Sequence, residues 1–140
     1  MEDSLWHAPV DPADVHTAAH AVPPLDDEFD GLLDDLAGVH PGIDLLRDGI
    51  RLLAVDRHEA NGTQAIAATI AGSGDGTDIV NALALLVQRL TDPATNPCLR
   101  ALPEPQQKAT RHAGEQTASL LADPYLRDRA AEIPAAIQGI

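Results

Sequence analysis

Basic residues are missing from the first third of this 140-residue chain. The first lysine or arginine is Arg47, and residues 1–46 carry a charge of −11 out of −13 for the whole chain. Proteins that bind DNA, RNA or anionic lipid place Lys and Arg against phosphate. We therefore expect no direct contact with nucleic acid or with a membrane surface.

Cysteine is also scarce, because Cys98 is the single one in the chain. One thiol cannot form an intramolecular disulfide, and nothing else in the sequence indicates an oxidising compartment. The first residues lack the basic and apolar segments of a signal peptide, and no apolar run reaches the ~18 residues that span a bilayer. These features predict a cytoplasmic protein.

Aromatic residues are few, with one Trp, one Tyr and one Phe. Strands are enriched in aromatic and β-branched residues, whereas the Leu and Ala that dominate here favour helices. A chain of this length is about one domain. The composition predicts an all-α protein, a single small bundle of about five to six short helices.

Hydrophobic periodicity divides the chain further. Residues 1–24, interrupted by four prolines, are predicted to form a partly flexible acidic arm, and residues 25–140 the helical bundle domain. Within the bundle, residues 79–90 are apolar nearly all round, which is typical of a central helix. Asn61-Gly62 is predicted to break the chain, and Pro134 to kink or end the last helix.

The clearest amphipathic pattern covers residues 25–39. Its apolar residues recur at i, i+4, i+7, i+8 and i+11 and are surrounded by acids. Such a helix is suited to an apolar groove with a basic rim, and it is short enough to detach from its own domain. The candidate partner-binding residues in it are Leu25, Asp27, Glu28, Phe29, Asp30, Leu32, Leu33, Asp34, Asp35 and Leu36. The alternative is that this is the first helix of the bundle, with its acids in solvent.

Trp6 lies in the arm, away from the predicted bundle. Tryptophan is enriched among the residues that anchor interfaces, so Trp6 joins the candidate partner-binding set. The alternative is that it folds back to fill a gap in the bundle.

Two histidines have the only spacing in the sequence that is typical of a metal site. His16 and His20 are at i, i+4, but zinc needs three or four ligands and no HExxH motif is present. His58 and His112 have ordinary interpretations, as a residue near a helix C-terminus and as a surface residue. We expect no metal and no cofactor.

The glycine-rich segment 72–78 lacks the Gly-Lys-Ser/Thr ending of a phosphate loop, and its acids would repel phosphate. With no catalytic motif visible, the leading hypothesis is a non-enzymatic interaction or regulatory module. Its acidic third would engage a basic protein surface, for example that of a protein that handles nucleic acid. The alternatives are a small helical domain with a ligand or metal site or a minor enzymatic activity, and an oligomer-forming protein.

Overall fold

The computed structural model describes residues 21–137, and this part of the chain is helical without any strand. The predicted all-α class is confirmed. A π-helical turn, Ala68–Gly72, continues α3, and a 3-10 turn, Pro97–Ala101, lies between α4 and α5. The α-helices are α1 (Asp27–Asp35), α2 (Pro41–Val55), α3 (Ala60–Ala67), α4 (Ile79–Thr91), α5 (Glu104–Leu121) and α6 (Pro124–Ile137).

The chain divides into two compact units, one ending at Arg57 and the other beginning at His58. In the described part of the first unit, Asp26 caps α1, since its carboxylate accepts a hydrogen bond of 2.8 Å from the Phe29 amide. The chain then turns at Gly38, whose φ of +89° favours glycine. The predicted division after residue 24 stays a prediction.

Helix α2 begins with two local hydrogen bonds. The ring Nδ1 of His40 accepts from the Gly42 amide at 2.8 Å and caps the helix, and Pro41 fits the first helical position. The Gly38 amide donates to Asp44 Oδ1 at 3.0 Å, which holds the turn against the first turn of α2.

In the second unit, α4 packs along α5. The two helices approach closely because small residues lie between them: Ala84, Gly114 and Ala118 are buried. A Cβ added to Gly114 would overlap the side chain of Thr91. Glycine at position 114 therefore sets the distance between these helices.

The π turn and α3 pack against α6. Pro134 has no amide hydrogen, so the Ala130 carbonyl loses its usual intrahelical donor. Gly72 approaches this carbonyl, because a Cβ on Gly72 would lie 2.9 Å from the Ala130 oxygen. Gln64 Nε2 donates to the Pro134 carbonyl at 2.9 Å.

A buried ion pair joins α6 to the start of α4. Asp78 caps α4 by accepting from the Asn81 amide at 2.8 Å, and its side chain is fully buried. Arg127 of α6 donates to both of its carboxylate oxygens, at 3.0 and 3.1 Å. Two parallel hydrogen bonds of this kind fix direction as well as distance.

Local predictions at three positions need correction. Asn61-Gly62 does not break the chain, since both residues lie in the first turn of α3, where amides need no intrahelical acceptor. The break is at residues 56–59, so His58 does not end α2, which stops at Val55. Of the two outcomes predicted for Pro134, an end of the helix is wrong, because α6 continues to Ile137; a kink stays a prediction.

Helix α4 is more exposed than a central helix. It packs mainly on α5 and the π turn. Leu85, Leu86 and Leu90 are 61%, 43% and 53% exposed. The sequence of α4 is apolar on nearly every side, but the helix is not buried on every side.

Candidate functional site

Helix α1 and its cap are strongly acidic. Residues 26–35 contain six acids and no base. The acids of the first turn lie near the positive end of the helix dipole, which stabilises them there. Acids near the C-terminal end, such as Asp35, have no such support, so their presence is a cost to the helix.

Arg51 of α2 binds two of these acids. Its Nη1 donates to Asp30 Oδ1, and its Nη2 donates to Asp34 Oδ1 at 3.1 Å. The hydrogen bond to Asp30 is the main cause that raises the pKa of Arg51 above its ordinary value. Asp30 and Asp34 are one helical turn apart, so one guanidinium reaches both.

The predicted leucine stripe is divided by the structure. Leu33 is 1% exposed, and Leu25 and Phe29 are half-buried. In contrast, Leu32 is 58% exposed and Leu36 is 37% exposed. One part of the stripe therefore serves the fold, and the other part is open to solvent.

The exposed leucines, Leu32 and Leu36, have carboxylates beside them that Arg51 does not bind. Glu28, Leu32, Asp35 and Leu36 follow one another at i, i+4, i+7 and i+8, so they lie on one side of the helical path. All four are exposed. We call these four residues the acid–leucine face. Beside it, a shallow hollow of about 250 Å³ is lined by Asp26, Glu28, Phe29 and Leu32.

Asp27, the remaining predicted acid, is also exposed. Trp6, His16 and His20 lie outside the described residues. His58 is exposed between α2 and α3, and His112 is exposed on α5.

Two features are absent from the described residues. Residues 21–137 contain no group of three or more His, Cys, Asp or Glu arranged to hold a metal ion. No helix in this part of the chain is both long enough and apolar enough to cross a membrane.

The glycine-rich segment forms a self-contained turn. Asp75 Oδ1 accepts from Ser73 Oγ at 2.5 Å and from the Thr77 amide at 3.0 Å. The Ser73 hydrogen bond is the main cause that lowers the pKa of Asp75 to about 2. The polar groups of this glycine-rich segment bind one another, as expected for a linker between helices.

Sequence reasoning missed the role of Arg51. The pattern of Asp30 and Asp34 at i, i+4 predicts one acidic ridge, but the sequence does not say which base faces it. The scarcity of bases is the one signal that could have helped, because Arg47 and Arg51 are the only bases of α2.

The chain was compared with protein family models, curated proteins and solved structures. None matches it. Function therefore has to be argued from the acid–leucine face and its surroundings.

Proposed function

We propose that the protein is a non-enzymatic interaction module that binds a basic protein through the acidic N-terminal third, with the acid–leucine face at its centre. The observation that carries this proposal is the exposure of Leu32 and Leu36 beside the exposed acids Glu28 and Asp35. Exposed leucines supply contact area, and the carboxylates around them select a partner of opposite charge.

The division of the acids supports a binding role. The carboxylates of Asp30 and Asp34 are held by Arg51, whereas no side-chain hydrogen bond or ion pair within the described residues engages the carboxylate of Glu28 or Asp35, and both residues are exposed. A cluster of unbalanced acids repels itself and costs stability, so its presence needs a purpose outside the monomer. A basic surface, such as that of a nucleic-acid-handling protein, would neutralise it.

The hollow beside Phe29 suggests how the contact is made. Its lining combines the carboxylates of Asp26 and Glu28 with the apolar surfaces of Phe29 and Leu32. A lysine or arginine side chain has a matching structure, an apolar stem with a charged end. In the proposal, Trp6 adds an anchor from the arm, and the complex forms in the cytoplasm.

The experiment compares two charge variants of equal size in the full chain. Glu28→Gln with Asp35→Asn removes two charges from the acid–leucine face, and Glu115→Gln with Asp128→Asn removes two exposed charges from α5 and α6. A partner captured from host extract is purified and titrated against each protein at about 0.1 M and about 1 M salt. We expect the first variant to bind more weakly and to lose most of the salt dependence, and the second to bind as the unchanged protein does.

An apolar pair of variants separates charge from contact. Leu32→Ala should weaken binding about tenfold, while Leu120→Ala, at a position 71% exposed on α5, should not. Equal affinity for the unchanged protein and the Glu28/Asp35 variant, or the absence of any basic partner, would contradict the proposal.

A further inference from the structure

The Asn61-Gly62 pair brings a backbone amide against a side-chain amide. The Gly62 amide nitrogen donates a hydrogen bond of 2.9 Å to Asn61 Oδ1. The side-chain carbonyl carbon of Asn61 is bonded to this oxygen, so it also lies near the Gly62 nitrogen. Attack of the following backbone nitrogen on this carbon is the first step of asparagine deamidation, so the two groups that would react are already adjacent.

The start of α3 leaves the Gly62 amide outside the helical hydrogen bonds. The first backbone hydrogen bond of α3 joins the Thr63 amide to the Glu59 carbonyl, and the amides before it in a helix have no intrahelical acceptor. Glu59, the N-cap residue, makes no side-chain hydrogen bond that caps the helix. A first turn held this weakly can open without the rest of the helix. The pair can therefore change its backbone conformation, which ring closure requires.

Solvent reaches the Asn61-Gly62 pair. Asn61 is exposed. A Cβ added to Gly62 would meet no atom within 4 Å apart from its own helix and its neighbours in the chain. Glycine itself has no side chain to shield its nitrogen. The nitrogen can therefore lose its proton to water, and water can reach the ring that its attack would form.

The other two asparagines of the chain lack this arrangement. Asn96 precedes Pro97, whose nitrogen carries no hydrogen and cannot attack. Asn81 precedes Ala82, whose amide is held by the Asp78 carbonyl at 3.1 Å. The side-chain nitrogen of Asn81 also donates to a backbone carbonyl, at 2.9 Å. Both residues therefore serve as controls within the same molecule.

We propose that Asn61 is a site of spontaneous deamidation in the folded protein, with water as the second reactant. The Gly62 nitrogen loses its proton to the solvent and attacks the side-chain carbonyl carbon of Asn61. The new nitrogen–carbon bond closes a succinimide ring, and the bond from this carbon to the side-chain NH2 group breaks. That group takes a proton from the solvent and leaves as ammonia. Water then opens the ring at either of its two carbonyls, which gives aspartate or isoaspartate.

The two products change α3 in opposite ways. Aspartate at position 61 puts a negative charge in the first turn, where the positive end of the helix dipole stabilises it. Isoaspartate lengthens the backbone by a methylene group, because the main chain then runs through the former side chain. Gln64 donates to the Pro134 carbonyl only three residues further on, so a longer first turn should disturb the contact of α3 with α6. Deamidation would thus convert the chain into two forms of different stability.

Incubation of the full chain in neutral and in mildly alkaline buffer tests the site. Deamidation replaces NH2 by OH, a mass change that peptide mapping by mass spectrometry detects and locates. We expect the change at Asn61, faster at the higher pH because the attacking nitrogen must lose its proton, with Asn81 and Asn96 unchanged. An endoproteinase that cuts before aspartate but not before isoaspartate distinguishes the two products. An intact Asn61, or equal change at Asn61 and Asn81, would overturn the proposal.

The same incubation in guanidinium chloride separates reaction in the folded chain from reaction after unfolding. We expect the folded chain to lose Asn61 no more than about tenfold more slowly than the unfolded chain, because only the first turn of α3 has to open. A folded chain that reacts more slowly than this would show that α3 protects the pair, and the proposal would then be wrong.

A Gly62→Ala variant tests the attacking group. The added methyl group lies in open space, so the fold should be kept, but it shields the neighbouring nitrogen. The loss of Asn61 should slow about tenfold in the folded and in the unfolded chain. The unfolded chain matters here because a more stable α3 cannot explain a slower reaction in it. Equal rates for Gly62→Ala and the unchanged protein would contradict attack by the Gly62 nitrogen.

An Asn61→Asp variant tests the consequence for α3, because it is the aspartate product itself. Its unfolding temperature should be no lower than that of the unchanged protein, since the new charge lies at the positive end of the helix. The isoaspartate form, purified after incubation, should unfold at a lower temperature than this variant. Equal unfolding temperatures for the two products would contradict the proposed effect of the longer backbone.

Discussion

The two units hold their helices together in different ways. In residues 21–57, α1 meets α2 through the partly exposed ion pairs of Arg51, and Leu33 is the buried large side chain. In residues 58–137, small residues bring helix backbones together, and the ion pair between Asp78 and Arg127 is buried. In the first unit a polar contact joins the helices and Leu32 stays exposed, whereas in the second unit close packing of small residues holds the helices together.

This difference sets the expected energetics. An exposed ion pair contributes little to stability and is weakened by salt. Removal of one partner from a buried pair leaves an uncompensated charge, which is strongly destabilising. The second unit should therefore depend on a few specific contacts, and the first should tolerate changes at its polar contacts.

The largest expected effect is that of Arg127→Met. It leaves the carboxylate of Asp78 buried without its cation, so the free energy of unfolding should fall by about 3–5 kcal/mol. Hydrogen exchange should show lost protection in α4–α6, and denaturant titration gives the magnitude. Arg51→Met is the matched change in the first unit and should have a much smaller, salt-dependent effect. Equal losses in the two variants would remove the distinction between the units.

A pair of glycine variants tests close packing within the second unit. Gly114→Ala places a methyl group where the Thr91 side chain lies, so stability should fall by about 1–3 kcal/mol. Gly62 in α3 has open space, and Gly62→Ala should raise stability by up to about 1 kcal/mol through helix propensity. Thermal unfolding of both variants gives the signs. Stabilisation by Gly114→Ala would show that α4 and α5 do not need the close approach.

Much of the fold could be predicted from local patterns. The 3.6-residue periodicity predicted a helix within residues 25–39, where α1 lies, and a helix over residues 79–90, which α4 matches closely, since periodicity depends on neighbouring residues. The break predicted at Asn61-Gly62 and the helix end predicted at Pro134 were wrong. The effect of these residues depends on their position within the helix and on long-range contacts. Gln64 and Gly72 lie far from Pro134 and Ala130 in sequence, so no local pattern could connect them.

The candidate site was harder to predict than the fold. Periodicity put Leu32, Leu33 and Leu36 on one stripe, but it could not say that Leu33 would be buried and the other two exposed. That distinction depends on which side of α1 faces α2, and Arg51 marks this side. Burial is a property of the packed pair of helices, and the sequence of either helix alone does not contain it.

The smallest expected effect concerns Asp75 in the second unit. Its carboxylate is exposed like those of α1, but it accepts hydrogen bonds from its own turn. Folding lowers its pKa from 3.8 to about 2, mainly through the Ser73 hydroxyl, so the folded state favours the charged form. The unfolded chain then binds more protons as the pH falls, and the contribution of Asp75 is complete above pH 3.8 and lost as the pH falls through about 2. Asp75→Asn should therefore be slightly less stable than the unchanged protein at pH 6, and the difference should shrink by pH 2. Thermal unfolding midpoints across this range measure it, with Asp128→Asn as the exposed control. A constant difference at every pH would mean that the turn binds the neutral side chain equally well.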